Sequence, residues 1–311
     1  MTADSPDTDL GELITEAVAD HDLALDELTV AELVTLMNDR DAAIPGAVRE
    51  ALPAITTAVE ATAARIRQGG RLIYVGAGTS GRLGVLDAAE IPPTFGTGSD
   101  VVLGLIAGGP PAIISSVEFA EDSEEAGAAD LAGLDPGPLD TVVGIASSGT
   151  TPYVLGALRL AAERGALTVG LSCNLDTPLS AAAEHGIEIP VGPEILTGST
   201  RLGAGTATKM VLNMFSTISM VQLGKTYRTL MVDVKATNAK LMRRAVRIVT
   251  LATGADEDTA RTALNETEWH AKLAIAVIAT GMSVPDAAAA LDAAGGVLRK
   301  VIGPAIGTGG H

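Results

Sequence analysis

Aromatic side chains are nearly absent, with one Trp, three Tyr and three Phe in 311 residues, while 47% of the chain is hydrophobic. The core must therefore be built from Ala, Val, Leu and Ile, whose small volumes favour close helix packing. Cysteine is almost missing too. The lone Cys173 excludes an intramolecular disulfide and a cysteine-based metal cluster, and it suits a reducing compartment. Cations are scarce, 21 Lys and Arg against 38 Asp and Glu, for a formal net charge of -17. That balance argues against nucleic acid or an anionic membrane surface as a partner. A small anion remains compatible, because helix amino termini bind phosphate inside acidic proteins. The four histidines, His21, His185, His270 and His311, have no metal-ligand spacing, so no metal is expected. No run approaches twenty uninterrupted apolar residues. The opening MTADSPDTDLGELITEAVADHD carries acids where a secretory signal needs a basic segment and a hydrophobic run. A cytoplasmic protein with no membrane span is expected.

What is present falls into three stretches. Residues 1–69 read as helical, first around LGELITEAVADHD and TVAELVTLMNDRD, then from Ala47 to Gln68, where Gly69-Gly70 supplies a stop. This amphipathic arm must cover either its own sheet or a second subunit. From Arg71, short apolar runs alternate with glycine-rich turns and helical stretches. RLIYVGAG, VVLGLIAGG, TVVGIASSGT, LTVGLSCN and GIEIPV are strand candidates, with helices near 80–90, 111–130, 152–164 and 199–222. Such alternation predicts an α/β layered domain with a mostly parallel sheet buried on both faces. After about Thr226 the chain returns to helix, with a long segment ending at Gly254 and a small three-helix unit in the last forty-odd residues. The expected division is an amino-terminal helical segment over 1–55, a catalytic domain over 56–250 and a small helical domain over 251–311.

In such a sheet, ligands sit beyond the carboxyl ends of the strands. Gly76-Ala77-Gly78-Thr79-Ser80-Gly81-Arg82 follows the LIYV strand and opens a helix, so its glycines permit close approach and its hydroxyls and amides suit phosphate oxygens. A nucleotide site, a sugar-phosphate site and a structural turn are all open on this motif alone. Ser147-Ser148-Gly149-Thr150-Thr151-Pro152 repeats the arrangement after a second strand, and two hydroxyl-rich turns fit a phosphorylated polyol better than an adenine nucleotide. Among the carboxylates, Glu90 lies about three turns along the helix opened by the first turn, where Pro92-Pro93 would terminate it. Glu118, Glu121, Asp122, Glu124 and Glu125 crowd SVEFAEDSEEAG, where helical i,i+3 spacing could turn Glu118 or Glu121 inward. Downstream, Thr197 or Ser199 is placed to cap a helix carrying Lys209 and Asn213, with Glu194 just outside it.

Together, LIYVGAGTSGRLGVLDAAEIPPTFGT, SVEFAEDS, GPEILTGSTRLGAGTATKMVLNM and GKTYRTLMVDVKATNAKL resemble the N-acetylmuramic acid 6-phosphate etherases, with the four motifs in family order across roughly residues 10–300. The resemblance implies a three-layer sugar isomerase (SIS) type domain over 56–250, amino-terminal helices, a small UBA-like carboxy-terminal domain and a homodimer. It implies a lyase that removes the lactyl ether at carbon 3 of the phosphorylated sugar by elimination and hydration, with no cofactor. On the family motif, Glu90 corresponds to the proton donor and Glu121 to the second active-site glutamate. Gly78, Thr79, Ser80, Ser147, Ser148, Thr150 and Thr151 are then substrate contacts, and Glu194, Ser199 and Lys209 are expected to close the pocket. Leu202-Gly203 stands where the family commonly has a methionine-lysine pair, which removes a positive charge. A sugar-phosphate isomerase, a non-catalytic sugar-phosphate sensor and a structural helical oligomer are the competing readings.

Overall fold

A computed structural model describes residues 13–18 and 24–303. The segment LGELITEAVADHD lies partly outside these residues, and its described part holds a single 3-10 turn, Ile14–Glu16. Thr29 opens α1 (Val30–Glu50) with a capping box: its hydroxyl accepts from the Glu32 amide at 3.4 Å, and the Glu32 carboxylate accepts from the Thr29 amide at 2.8 Å. The sequence separates this helix from one starting at Ala47. The structure instead carries α1 through Pro45, breaks it at Ala51 and restarts it as α2 (Leu52–Arg67), with Pro53 in the first turn. A proline in a first turn loses no helical hydrogen bond, which is why the restart falls there. Gly69, at φ 96, follows the end of α2 as the glycine pair predicts.

All five apolar runs are strands: β1 (Leu72–Gly76), β2 (Val102–Ile106), β3 (Thr141–Ile145), β4 (Leu167–Ser172) and β5 (His185–Glu188). They pair in parallel in the order β2-β1-β3-β4-β5, so the predicted parallel sheet is observed. Every residue of β1, β3 and β4 is buried, as continuous apolar strands between two helical layers require. On one face, Ile73, Val75 and Val142 pack with Tyr153, Val154 and Leu158 of α6 (Pro152–Glu163), Leu131 of α5 (Glu124–Ala132) and Leu179 of α7 (Pro178–Ala182). On the other lies α3 (Gly78–Phe95). A Cβ on its Gly84 would come within 2.9 Å of Tyr74 Cβ, and one on Gly104 of β2 within 2.8 Å of Val85 Cα. The Tyr74 hydroxyl also lies 3.3 Å from the Leu212 carbonyl of α8 (Gly203–Gln222).

Two further helices depart from expectation. The one predicted over 111–130 is two, α4 (Pro111–Ile114) and α5, separated by an extended Ser115 and by Phe119 at φ 60. Ser123 caps α5 by accepting from the Ala126 amide at 3.1 Å, and Glu124 and Glu125 complement the positive end of the new helix. The prolines predicted to stop α3 lie inside it. The helix runs through Pro92 and Pro93 to Phe95 and closes at Gly96, whose φ of 65 suits glycine. Prolines this near the end remove only the final turn's amide donors.

At the amino ends of β1 and β3, Arg71 embraces Asp140, with its Nε at 3.1 Å from Oδ1 and a terminal nitrogen at 2.6 Å from Oδ2. The Arg71 and Gly137 amides donate to the same carboxylate. Burial alone would raise the Asp140 carboxyl, but these donors and the guanidinium charge hold it below its ordinary value. A depressed carboxyl contributes stability above its unfolded pKa and loses it as pH falls through the folded one. Asp140→Asn is therefore expected to cost about 1.5–3 kcal/mol near pH 7, a difference that shrinks below about pH 4. Urea titrations of both proteins at pH 7 and pH 3 measure it; an equal gap at both would contradict the assignment.

The chain separates into two compact units. One comprises the described residues within Met1–Ala89 and Asp100–Ser216, the other those within Glu90–Ser99 and Thr217–His311. The second holds α9 (Ala239–Thr253), α10 (Glu257–Glu266), α11 (Ala271–Thr280), α12 (Val284–Ala293) and α13 (Leu298–Ile302), around Val249, Leu264, Ile275 and Leu298. Asn238, Asp256 and Ser283 cap three of these helices with side-chain oxygens. Among the described residues no single helix is long and apolar enough to cross a membrane.

Candidate active site

In the order β2-β1-β3-β4-β5 the direction of chain winding reverses between β1 and β3, and the crevice beyond the carboxyl ends of those two strands is the expected ligand position. Both hydroxyl-rich turns emerge there. Gly76 of β1 is in register with Ile145 of β3, so Gly78-Thr79-Ser80 and Ser147-Ser148-Gly149-Thr150-Thr151 leave adjacent strand ends. The first turn is tight because the backbone must be. A Cβ on Gly76 would lie 2.6 Å from the Gly81 nitrogen, and one on Gly81 would lie 2.6 Å from Ile106 Cγ1. Gly78 sits at φ 50, exposed and with open space where a side chain would stand; Thr79 is half-buried and Ser80 buried.

The second turn is internally braced. Ser148 Oγ accepts from the Thr150 amide at 3.2 Å and from the Thr150 hydroxyl at 3.0 Å. Asn174, buried just beyond β4, donates through Nδ2 to the Ser147 carbonyl at 2.8 Å and to Thr15 Oγ1 at 3.0 Å. Thr151 precedes α6 with Pro152 at its start, and its side chain makes no cap bond. The amide end of a twelve-residue helix thus opens beside the turn without a side-chain oxygen of its own residue occupying it.

Glu121 reaches this end of α6 by its main chain, since its carbonyl accepts from the Tyr153 amide at 3.0 Å. It does not share a helix face with Glu118 as the sequence suggests. Both occupy the turn between α4 and α5, and both are exposed. Arg82 of α3 braces the same connection by donating from Nε to the Ile113 carbonyl at 3.2 Å.

At α8 the structure replaces the expected cap. Neither Thr197 nor Ser199 holds the helix start; Glu194, 3% exposed, accepts from the Gly203 amide through Oε2 and from the Ala204 amide through Oε1, each at 2.9 Å. A buried carboxylate on two orphan amides is the stronger cap, being charge-assisted and aligned with the helix dipole. A Cβ on Gly203 would stand 3.1 Å from Glu194 Oε2, so a side chain here would leave beside that carboxylate. The first turn of α8 borders the first loop: a Cβ on Gly205 would be 3.6 Å from Thr79 Cγ2. Burial and the charge of Glu194 push the neighbouring Cys173 thiol up to about 12, leaving it an unreactive core group. Glu194→Gln is expected to cost about 1–3 kcal/mol, because an amide NH2 would face an amide N–H. An unchanged urea midpoint would contradict that role.

Lys209 is exposed on α8, while Asn213, one turn on, points inward to a group that sequence reasoning missed. Asp87, buried on α3, accepts from Tyr74 OH at 2.9 Å, Asn213 Nδ2 at 2.8 Å and Ser216 Oγ at 3.1 Å. Burial raises its carboxyl, against those hydrogen bonds and the charge of Lys209. Glu90 follows one turn later on α3, exposed, with its carbonyl accepting from Thr94 Oγ1 at 2.7 Å.

Comparison with known proteins agrees with this architecture. The glucokinase regulatory protein N-terminal SIS domain matches residues 54–162, and the SIS domain matches residues 118–218. The chain is 55% identical over 297 residues to the N-acetylmuramic acid 6-phosphate etherase of Streptomyces avermitilis, covering 96% of each chain. It is 53% identical to that of Mycolicibacterium smegmatis, over 95% of this chain and 99% of the relative. For that of Serratia proteamaculans the identity is 52%, over 94% and 99%. With likeness of this level running from end to end, the chain belongs to the N-acetylmuramic acid 6-phosphate etherase family.

Proposed function

We propose that the protein cleaves the lactyl ether of N-acetylmuramic acid 6-phosphate, giving N-acetylglucosamine 6-phosphate and D-lactate. The observation that carries this reading is the likeness to etherases over nearly the whole of both chains. The crevice between β1 and β3 supplies a chemical counterpart, with hydroxyls and helix amides in place of a nucleotide clamp. Gly78, Thr79, Ser80, Ser147, Ser148, Thr150 and Thr151 bind the 6-phosphate and sugar hydroxyls. Glu194 shapes this end of the pocket by holding the start of α8, and Ser199 and Lys209 close it.

The reaction needs two proton transfers. Loss of the carbon 2 proton and breakage of the carbon 3–oxygen bond leave a carbon 2–carbon 3 double bond, while the departing lactate oxygen takes a proton. Water then adds its oxygen to carbon 3 and a proton to carbon 2. Carboxyl groups serve both ends of such a sequence when their protonation states differ. Glu90 protonates the lactate oxygen; Glu121, tied by its carbonyl to the start of α6, handles the carbon 2 proton or the incoming water. Reaction in ¹⁸O-labelled water tests this route, with label expected on oxygen 3 of the sugar; label in the lactate hydroxyl would instead mean attack at the lactyl carbon.

Two further assignments belong to the same reading. The protein acts in the cytoplasm, in recovery of cell-wall sugars. It also works as a homodimer, because α1 buries only Ile44 and Val48 and leaves Val30, Val34 and Met37, 77%, 63% and 42% exposed, along one stripe. Light scattering is expected to give twice the 31.4 kDa chain mass; a monomer at working concentration would refute the dimer.

A further inference from the structure

Within the second unit, a cavity of about 610 Å³ is lined by charges that balance, Lys225, Lys235 and Lys272 against Asp233, Glu268 and Asp292. Such a lining selects no ligand charge, and its informative feature is one wall. Residues Val232–Lys235 form a strap laid against the end of α3. Gly96 closes that helix, and a Cβ there would come within 2.5 Å of the Asp233 carbonyl oxygen. One residue later, Lys235 Nζ donates to the Thr97 carbonyl at 3.4 Å.

The strap is itself held from beneath. Buried Lys272 places Nζ 2.6 Å from Asp233 Oδ2 as an ion pair and donates to the Gly224 and Gly296 carbonyls at 3.0 and 2.9 Å. Its backbone amide donates to the Val232 carbonyl at 3.0 Å. Lys225 adds a second cation 3.5 Å from the same aspartate oxygen. Desolvation offsets much of the attraction in a buried ion pair, so net stability is a weak reason for one; fixing a register is a better one.

We propose that Lys272, acting through Asp233, is a positioning residue for Glu90: the pair fixes the strap, the strap fixes Gly96-Thr97, and these fix the last turns of α3, on which Glu90 lies. The inference rests on the reading of Glu90 as the proton donor. A donor must come within about 2.6–3.2 Å of the atom it protonates, and a misplacement of about 1 Å costs roughly 100-fold in rate.

Lys272→Met is expected to lower kcat about 10- to 100-fold with KM changed less than about twofold, and Lys272→Arg to recover part of the loss. In a Glu90→Gln background, Lys272→Met should slow the residual reaction no further, because the group it positions is gone. A merely structural role would lower the rate equally in both backgrounds and would raise KM as well. Should Lys272→Met fail to fold, Lys235→Met, which removes an exposed side chain from Thr97, carries the test with the same kcat-only loss expected. Unchanged kcat in the folded variant overturns the proposal while Glu90 keeps its role. Full activity in Glu90→Gln alone overturns the Glu90 reading and this inference with it.

Discussion

Glu90→Gln and Glu121→Gln are each expected to lower kcat by about 10²–10⁴-fold, the usual contribution of a positioned acid or base. Glutamine keeps the length and shape of the side chain and removes only its proton chemistry. Both carboxylates are exposed, so neither substitution disturbs a packed core, and urea midpoints should stay within about 0.5 kcal/mol of the parent. Neither residue lies in the hydroxyl-rich turns proposed to bind the phosphate, so KM should move little. Glu118→Gln is the informative control: it lies in the same turn as Glu121 but is not tied to the start of α6 by its carbonyl. A rate lost in Glu118→Gln and kept in Glu121→Gln would transfer the role to Glu118.

Gly149→Ala is expected to be the most damaging small change in the two hydroxyl-rich turns proposed to bind phosphate. Gly149 sits at φ 75, and its added methyl would stand 2.3 Å from Thr177 Cβ and 2.5 Å from Thr177 Cγ2. Thr177 cannot step aside cheaply, since it is buried and caps α7 by accepting from the Ser180 amide at 3.2 Å. A left-handed non-glycine residue costs about 1–2 kcal/mol and overpacking about 1–3 kcal/mol, or roughly 2–5 kcal/mol together. The damage also falls inside Ser147–Thr151, so the folded fraction should show KM raised tenfold or more with a smaller effect on kcat. A variant with parental urea midpoint and KM would contradict both the strain and the placement of the turn at the ligand.

The strands were legible because each is a short apolar run buried on both faces, where pattern and burial coincide. The turns after β1 and β3 were legible as turns for a related reason: glycines punctuate the ends of apolar runs, although the motif alone leaves open whether such a turn binds a ligand. What the sequence concealed depends on contacts between distant residues. Glu194 caps a helix that begins nine residues later, beyond the range of local capping signals, so Thr197 and Ser199 looked the better candidates. Nothing local marks Asp87, because Tyr74, Asn213 and Ser216 reach it only through the fold. The break at 115–123 was signalled only by weak helix formers such as Ser115-Ser116 and by Ser123, which caps the new start before two glutamates. Pro92 and Pro93 misled in the opposite sense, because glycine at 96 rather than proline sets the end of α3.

The most direct measurement incubates the purified protein with N-acetylmuramic acid 6-phosphate and quantifies both products over time. D-lactate and N-acetylglucosamine 6-phosphate are expected in equal molar amounts, without added metal or cofactor. Folded protein that binds the sugar phosphate but releases no lactate would contradict the proposed function.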